Sequence, residues 1–301
     1  MKPLAWVAAT AACIIAGAWV VGGPRAPAGE VEQGLRIKAM TFNIRLSRAH
    51  DGANAWPHRR ELVVEVIRGF AGDFVGLQEA WPEQIAYLAQ SLPQYRYIGR
   101  SRERDGVEGE AIPLFYRHER WSLDPHEQGT FWLSDTPEVP GSTSWGNQIP
   151  RVVTWGRFTE KSCGRAVYVY NVHLDHLSAA SRVRSARALA ERIARRSHSE
   201  PVLVLGDFNA GESSEPVRYL RGLDHASPVQ LRDSFRVVHP EATLVGTFHG
   251  FGGATTGPKI DYILVSREAQ VTDAAILRNS FQGRYPSDHF PVTAEVIFPQ
   301  R

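Results

Sequence analysis

The chain has 301 residues, 43% of them hydrophobic and 10% aromatic. That is enough to bury a large core, which excludes an intrinsically disordered protein and leaves room for one α/β domain of about 260 residues. Lysine and arginine total 34 against 32 acidic residues, a net charge of +2, so capture of nucleic acid through bulk electrostatics is excluded and a phosphate-bearing substrate must be drawn in locally.

The first 34 residues stand apart. Lys2 precedes an almost unbroken apolar stretch from Leu4 to Val21, followed by Gly22, Gly23, Pro24, Arg25 and Pro27. A cleaved export signal uses an apolar core of roughly 7–15 residues and a small-x-small exit, here Ala26-Pro27-Ala28, whereas an uncleaved anchor uses about 20 residues. The stretch fits either, so residues 1–34 are expected to be a signal peptide or an N-terminal membrane anchor plus linker. The protein is then expected outside the cytoplasm, secreted, periplasmic or held at the membrane by this segment alone. Cys13 follows Thr10 at three residues, where a lipoprotein signal favours Leu, so a lipid anchor is not expected there. Cys163 is left without a disulfide partner and reads as a small buried hydrophobe.

From Leu35 onward, apolar runs alternate with turn-rich stretches, and residues 35–301 are expected to form one domain. Residues 35–43 predict a strand and 57–70 a helix with Leu62, Val63, Val66, Ile67 and Phe70 on one face. A buried strand at 73–78, a helix at 82–91 opened by Pro82 and a strand at 95–99 follow. Further strands are predicted at 112–117, 152–158, 166–173, 202–206, 260–266 and 289–297. Residues 178–196 form a helix striped by Val183, Ala186, Leu189, Ala190 and Ile193. Connections are both hairpin-like and helical, so two packed mixed sheets flanked by helices fit better than a wound parallel sheet. Two long loops, 133–150 and 246–258, are rich in Pro, Gly and Ser and carry aromatics, as loops at the mouth of a site do.

Chemistry-bearing residues cluster at the ends of these apolar runs. In GDFNA a buried strand delivers Gly206, read as the residue that permits a sharp turn, and then Asp207 and Asn209, spaced to face the same way. With Asn43 in TFNIR and Glu79 in GLQEA, the chain offers hard oxygen ligands suited to Mg2+ or Mn2+; zinc would want more His or Cys. IDYILVS and PSDHF supply Asp261, Asp288 and His289. A carboxylate on one imidazole nitrogen fixes the tautomer and raises the basicity of the other, so Asp261–His289 is a candidate pair. NVHLDH supplies His173, and Glu110 in GEAIPLFYR is its candidate orienting acid.

MTFNIR, GLQEA, NVHLDH, GDFNA, IDYILVS and PSDHFP resemble, in order and spacing, the motifs of the endonuclease/exonuclease/phosphatase (DNase I-like) superfamily, with the likeness running from about Leu35 to Pro299. The resemblance implies a four-layered α/β sandwich and divalent-metal hydrolysis of a phosphate ester. Glu79, Asn43 and Asp288 would bind metal, and Asp207 and Asn209 would orient the attacking water and the scissile phosphate. The DNase I-like branch also has a Glu seven residues before an Arg, matched by Glu110 and Arg117, and that Glu pairs with the His of the NxH segment.

The expected reaction is in-line attack of activated water on phosphorus, with Asp207 as base and the choice of acid between the two imidazoles open. Substrate class has to come from the loops. Trp132, Trp145, Phe248, His249 and Phe251 are candidates to stack on a sugar or base, or to pack in the core. Arg182 and Arg151 are candidate phosphate contacts, while the other arginines of the 178–196 helix read as a solvated face. A phosphodiesterase acting as a monomer on a small diester or on a lipid or sugar headgroup is expected, with an extracellular nuclease as the first alternative and a catalytically silent surface binding protein as the second.

Overall fold

The computed structural model describes residues 34–224 and 226–300. The signal or anchor reading, apart from Gly34, falls on residues outside that description, as does Cys13. Among the described residues no helix is long and apolar enough to cross a membrane.

The elements run β1 (Leu35–Asn43), α1 (Trp56–Phe70), β2 (Phe74–Gln78), α2 (Pro82–Ser91), β3 (Tyr95–Ile98), β4 (Leu114–Arg117), β5 (Trp121–Trp132), β6 (Val152–Glu160) and β7 (Ala166–His173). They continue with α3 (Ala179–Ala194), β8 (Val202–Asp207), α4 (Glu215–Leu220), β9 (Leu231–Asp233), α5 (Ser234–Val238), β10 (Asp261–Ser266), β11 (Gln270–Ile276) and β12 (Val292–Phe298). Two six-stranded sheets result, ordered β11-β12-β1-β2-β4-β3 and β5-β6-β7-β8-β10-β9. In each, one central pair is parallel, β1 with β2 and β7 with β8, and the remaining pairs are antiparallel.

Alternation along the strands builds the layers. Ile37, Ala39 and Phe74 of the first sheet meet Val167, Val169, Leu203 and Leu205 of the second in the central core. The opposite faces of the same strands take Val63, Val64 and Ile67 of α1 with Leu88 of α2 on one side, and Ala186, Leu189, Ala190 and Ile193 of α3 on the other. Each such Val, Leu, Ile or Phe side chain is worth about 1.5–3 kcal/mol on burial, and the outcome is helix, sheet, sheet, helix. Ser178 caps α3 by accepting from the Ser181 N–H at 3.1 Å, and Ala71 closes α1 in the left-handed region.

Strands β5, β9 and β11 were not anticipated, and all three lie at sheet edges. An edge strand is half-solvated and tolerates polar residues, so its hydrophobic signal is weak. Strand β5 shows this in its sequence WSLDPHEQGTFW, with Pro125 in the irregular stretch between Leu123 and Gln128. The short helices α4 and α5 were also missed. Cys163, expected to be buried, is exposed in the turn after β6.

Candidate active site

The motif residues meet at one end of the sandwich, where β1, β2, β7 and β8 finish and β10 begins. Beneath them lies a polar layer that the motifs did not announce. Gln78 donates to Asn171 Oδ1 at 2.7 Å, and the Asn171 amide donates to the carbonyls of Leu77, Ile112 and Pro113, stitching the two sheets together. A side chain at Gly76 would collide with Asn171, so that glycine is a packing requirement of the layer. Gly206 likewise serves close approach, because a Cβ there would lie 2.2 Å from Val172 O; the left-handed turn after β8 falls on Asn209, with φ +47°.

Above this layer, the Asn43 amide donates to Glu79 Oε1 at 3.0 Å and to Asp207 Oδ2 at 3.1 Å. Carboxylates from both sheets therefore converge on one group. Glu79 itself has φ +60°, and Arg45, Asn209 and Phe251 are also left-handed. Such non-glycine backbone strain persists where surrounding contacts over-determine it, as functional sites do. Asp288, reached through PSDHF, is 6% exposed, and Arg45 Nε lies 3.7 Å from its carboxylate.

Burial pushes the Asp207 and Asp288 carboxyls up, Asp261 adding to the first effect and Glu79 to the second. So much negative charge in so small a volume suits a bound cation, and the hard oxygen donors Asn43, Glu79 and Asp288 fit Mg2+ or Mn2+. As oriented here, Asn43 presents its N–H2 to the two acids while its oxygen accepts from the Arg45 N–H, so coordination through oxygen requires the amide to turn over. Asp207, Asp261 and His289 also bring ligand atoms within 4.8 Å of one another. His289 Nδ1 is already joined to Asp261 Oδ2 at 2.9 Å, so these three read better as an acid–imidazole pair beside a second acid.

The two imidazoles differ. His289 is held at about 10: burial opposes its charge, but Asp261, Asp207 and Asp288 outweigh it. His173 is held down to about 3, first by burial and then by Arg151. Its Nδ1 lies 3.5 Å from Glu110 Oε1 without the alignment of a hydrogen bond, because that oxygen takes Arg102 Nη1 at 2.6 Å. His173 Nε2 and His289 Nε2 lie 3.6 and 3.9 Å from the same Asp207 oxygen. Asn209 donates its backbone N–H to Asp207 Oδ1 at 2.8 Å and its amide to Leu174 O at 3.1 Å, fixing the turn and the carboxylate together.

Among the candidate substrate contacts, Arg151 is 3% exposed beside Asp175 and His176, and its Nη1 is buried without a hydrogen bond, 4.0 Å from Glu110 Oε1. Arg182 donates to Asp175 O at 2.8 Å and so braces the HLDH loop. His249 is buried against Phe290 with ring centroids 3.9 Å apart, and burial lowers it to about 4. Phe251 lies over Arg59. Of its two readings Trp132 takes the core one, not the substrate contact: it is 2% exposed and its indole donates to Arg102 O at 2.7 Å. Phe248 is the exposed aromatic here, 52% accessible and edge-on to His289 at 5.1 Å. Sequence reasoning passed over Arg45, Arg59, Arg102, Asp175 and His176; Arg45 in FNIR and Asp175–His176 in HLDH sat inside motifs, whereas Arg102 lies in a loop with no pattern to mark it.

Comparisons with known proteins agree with this fold. The structure superposes on an endonuclease/exonuclease/phosphatase family protein from Bacteroides thetaiotaomicron with a TM-score of 0.80 at 30% identity, covering 89% of this chain and 100% of that one. A mannosyl-6-phosphatase from the same organism gives 0.78 at 30% identity, covering 87% and 100%. An uncharacterised protein of Acanthamoeba polyphaga mimivirus is 28% identical over 165 residues, a match spanning 52% of this chain and 60% of the viral protein. The model of the Endonuclease/Exonuclease/phosphatase family matches residues 40–289, from the strand that carries Asn43 to the imidazole of His289, and the chain belongs to that family.

Proposed function

We propose that the protein is a divalent-metal-dependent phosphoesterase whose substrate is a compact phosphate monoester, such as a phosphorylated sugar, in place of the diester expected from the sequence. The observation that carries the hydrolase reading is the Asn43 amide, which joins Glu79 of one sheet to Asp207 of the other beneath two imidazoles. Choice of a monoester is supported by Arg102 and Arg151 beside His173, whose buried Nε and Nη1 have no hydrogen-bond acceptor and only longer ion-pair contacts, to Glu103 at 3.7 Å and Glu110 at 4.0 Å, because a dianionic terminal phosphate needs more positive charge than a monoanionic diester. Likeness to a mannosyl-6-phosphatase points the same way.

A bound Mg2+ or Mn2+, held by Glu79, Asp288 and Asn43, would neutralise charge on the phosphoryl oxygens. Asp207, its carboxyl raised by burial, takes a proton from the attacking water. His289, charged at neutral pH, donates from Nε2 to the developing negative charge while Asp261 fixes its tautomer. His173 stays neutral and orients the nucleophile or the phosphate. With residues 1–34 as signal or anchor, the reaction runs outside the cytoplasm.

The test is hydrolysis of mannose 6-phosphate, p-nitrophenyl phosphate, bis-p-nitrophenyl phosphate and plasmid DNA, with Mg2+, Mn2+ or EDTA, by wild type and Asp207→Ala. Metal-dependent monoester hydrolysis is expected, falling about 10³-fold or more in the variant. Preferred turnover of the diester would restore the phosphodiesterase reading, and cleavage of the plasmid the nuclease reading. Inactivity on all four, with no metal bound, would leave a silent binding protein.

A further inference from the structure

Arg59, near the start of α1, is 1% exposed, and its four hydrogen bonds all go to main-chain carbonyls. Nε donates to Asn54 O at 2.9 Å; Nη1 donates to Ile44 O at 2.5 Å and Pro286 O at 3.0 Å; Nη2 donates to Arg45 O at 2.8 Å. Ile44 and Arg45 directly follow Asn43, and Pro286 stands two residues before Asp288. The guanidinium also lies over Trp56 at 5.2 Å and over Phe251 of the 246–258 loop at 5.7 Å. One side chain thus touches two of the three segments that carry proposed metal ligands, those of Asn43 and Asp288, and the loop that carries Phe248 and His249.

Neighbouring contacts share the same work without replacing it. Ser287 Oγ donates to Asn43 O at 2.7 Å, and Gln84 Nε2 donates to Arg45 O at 3.0 Å. Only a planar fork reaches carbonyls of three segments at once; a lysine ammonium, a point charge with three donors, cannot span them. A buried carbonyl deprived of its donor has to find another, and here the available response is movement of the segment that carries it.

We infer that Arg59 is a positioning residue that sets the separation of the Asn43 and Asp288 segments and docks the 246–258 loop, so that cation affinity depends on a side chain that is not a ligand. This rests on the metal-dependent reading above. The role differs from that of a stabilising core residue because its loss acts on the metal before it acts on the fold.

The experiment is calorimetric titration of Mn2+ into wild type, Arg59→Ala, Arg59→Lys and Phe251→Leu, with kcat and KM on p-nitrophenyl phosphate and circular dichroism melts. Arg59→Ala is expected to stay folded, to bind Mn2+ at least about 10-fold more weakly and to lose kcat by a similar factor, part of which added methylguanidinium restores. Arg59→Lys retains the charge and falls in between. Phe251→Leu is expected to raise KM while leaving the Mn2+ Kd within about 2-fold, since it removes the stacked ring and none of the carbonyl bonds. A folded Arg59→Ala or Arg59→Lys with wild-type Mn2+ affinity and kcat overturns the inference. So does loss of folding in both, which would make Arg59 a residue of the fold. A wild type that binds no Mn2+ and hydrolyses nothing overturns the metal-dependent reading itself, and this role with it.

Discussion

His173 and His289 both approach Asp207 and each has an acid within 3.5 Å of its Nδ1, yet they are held in opposite charge states. His289 shares its surroundings with Asp261, Asp207 and Asp288, and their attraction exceeds the cost of burying the imidazolium. His173 is equally buried, but Arg102 has claimed Glu110 and Arg151 stands nearby, so the neutral imidazole wins. Only His289 has its acid in hydrogen-bond contact, at 2.9 Å, whereas the acid beside His173 stands 3.5 Å away and is held by Arg102, so the neighbours of each pair decide. An acid–imidazole pair therefore does not by itself announce a cationic donor.

The sharpest way to break the comparison is to delete each ring in turn. His289→Ala is expected to lower kcat at pH 7 by about 10³-fold, because it removes a charged donor, and His173→Ala by about 10²-fold. Steady-state assays giving the reverse order would assign the acid to His173.

A smaller effect is expected from Arg102→Met, which releases Glu110 to His173 and removes a cation beside it. The His173 ring proton, followed by NMR in EDTA, should titrate higher than in wild type, and kcat should fall about 10- to 100-fold. An unmoved His173 titration would show that Arg102 does not set its charge.

The smallest effect is on stability, and its sign differs between the two rings. With a folded value of about 10 against roughly 6.5 unfolded, His289 contributes stability that is full below about pH 6.5 and is lost as the pH rises through 10. His173, at about 3 folded, does the reverse: the unfolded chain takes up its proton first, so stability is lost as the pH falls from about 6.5 toward 3. Urea unfolding in EDTA at pH 5, 7 and 9 should therefore show the wild-type advantage over His289→Asn shrinking at high pH. The comparison with His173→Asn should show wild type losing ground at low pH. Parallel curves for wild type and both variants would mean that neither ring is linked to folding.

Much of this molecule is legible along the chain. The central strands are long apolar runs because both their faces are covered, and the acids and amides at their ends stand out against that background, which is why Asn43, Glu79, His173, Asp207, Asp261 and His289 could be named and the layered sandwich expected. These are local properties: periodicity, composition and spacing. The edge strands β5 and β11 stayed hidden because much of each faces water and only a neighbouring strand makes its polar residues extended, and β9, three residues long, is too short to show a period. Trp132 and Phe248 are both aromatics in loop-like stretches, and only the packing of β5 against the Arg102 loop, and of the 246–258 loop against His289, buries one and exposes the other. Charge behaves in the same way. The residues that set the state of each imidazole, Arg102 and Arg151 on one side and Asp207 and Asp288 on the other, are mostly distant in sequence, and electrostatic energy depends on separation in space and on burial, quantities that exist only once the two sheets have closed on each other.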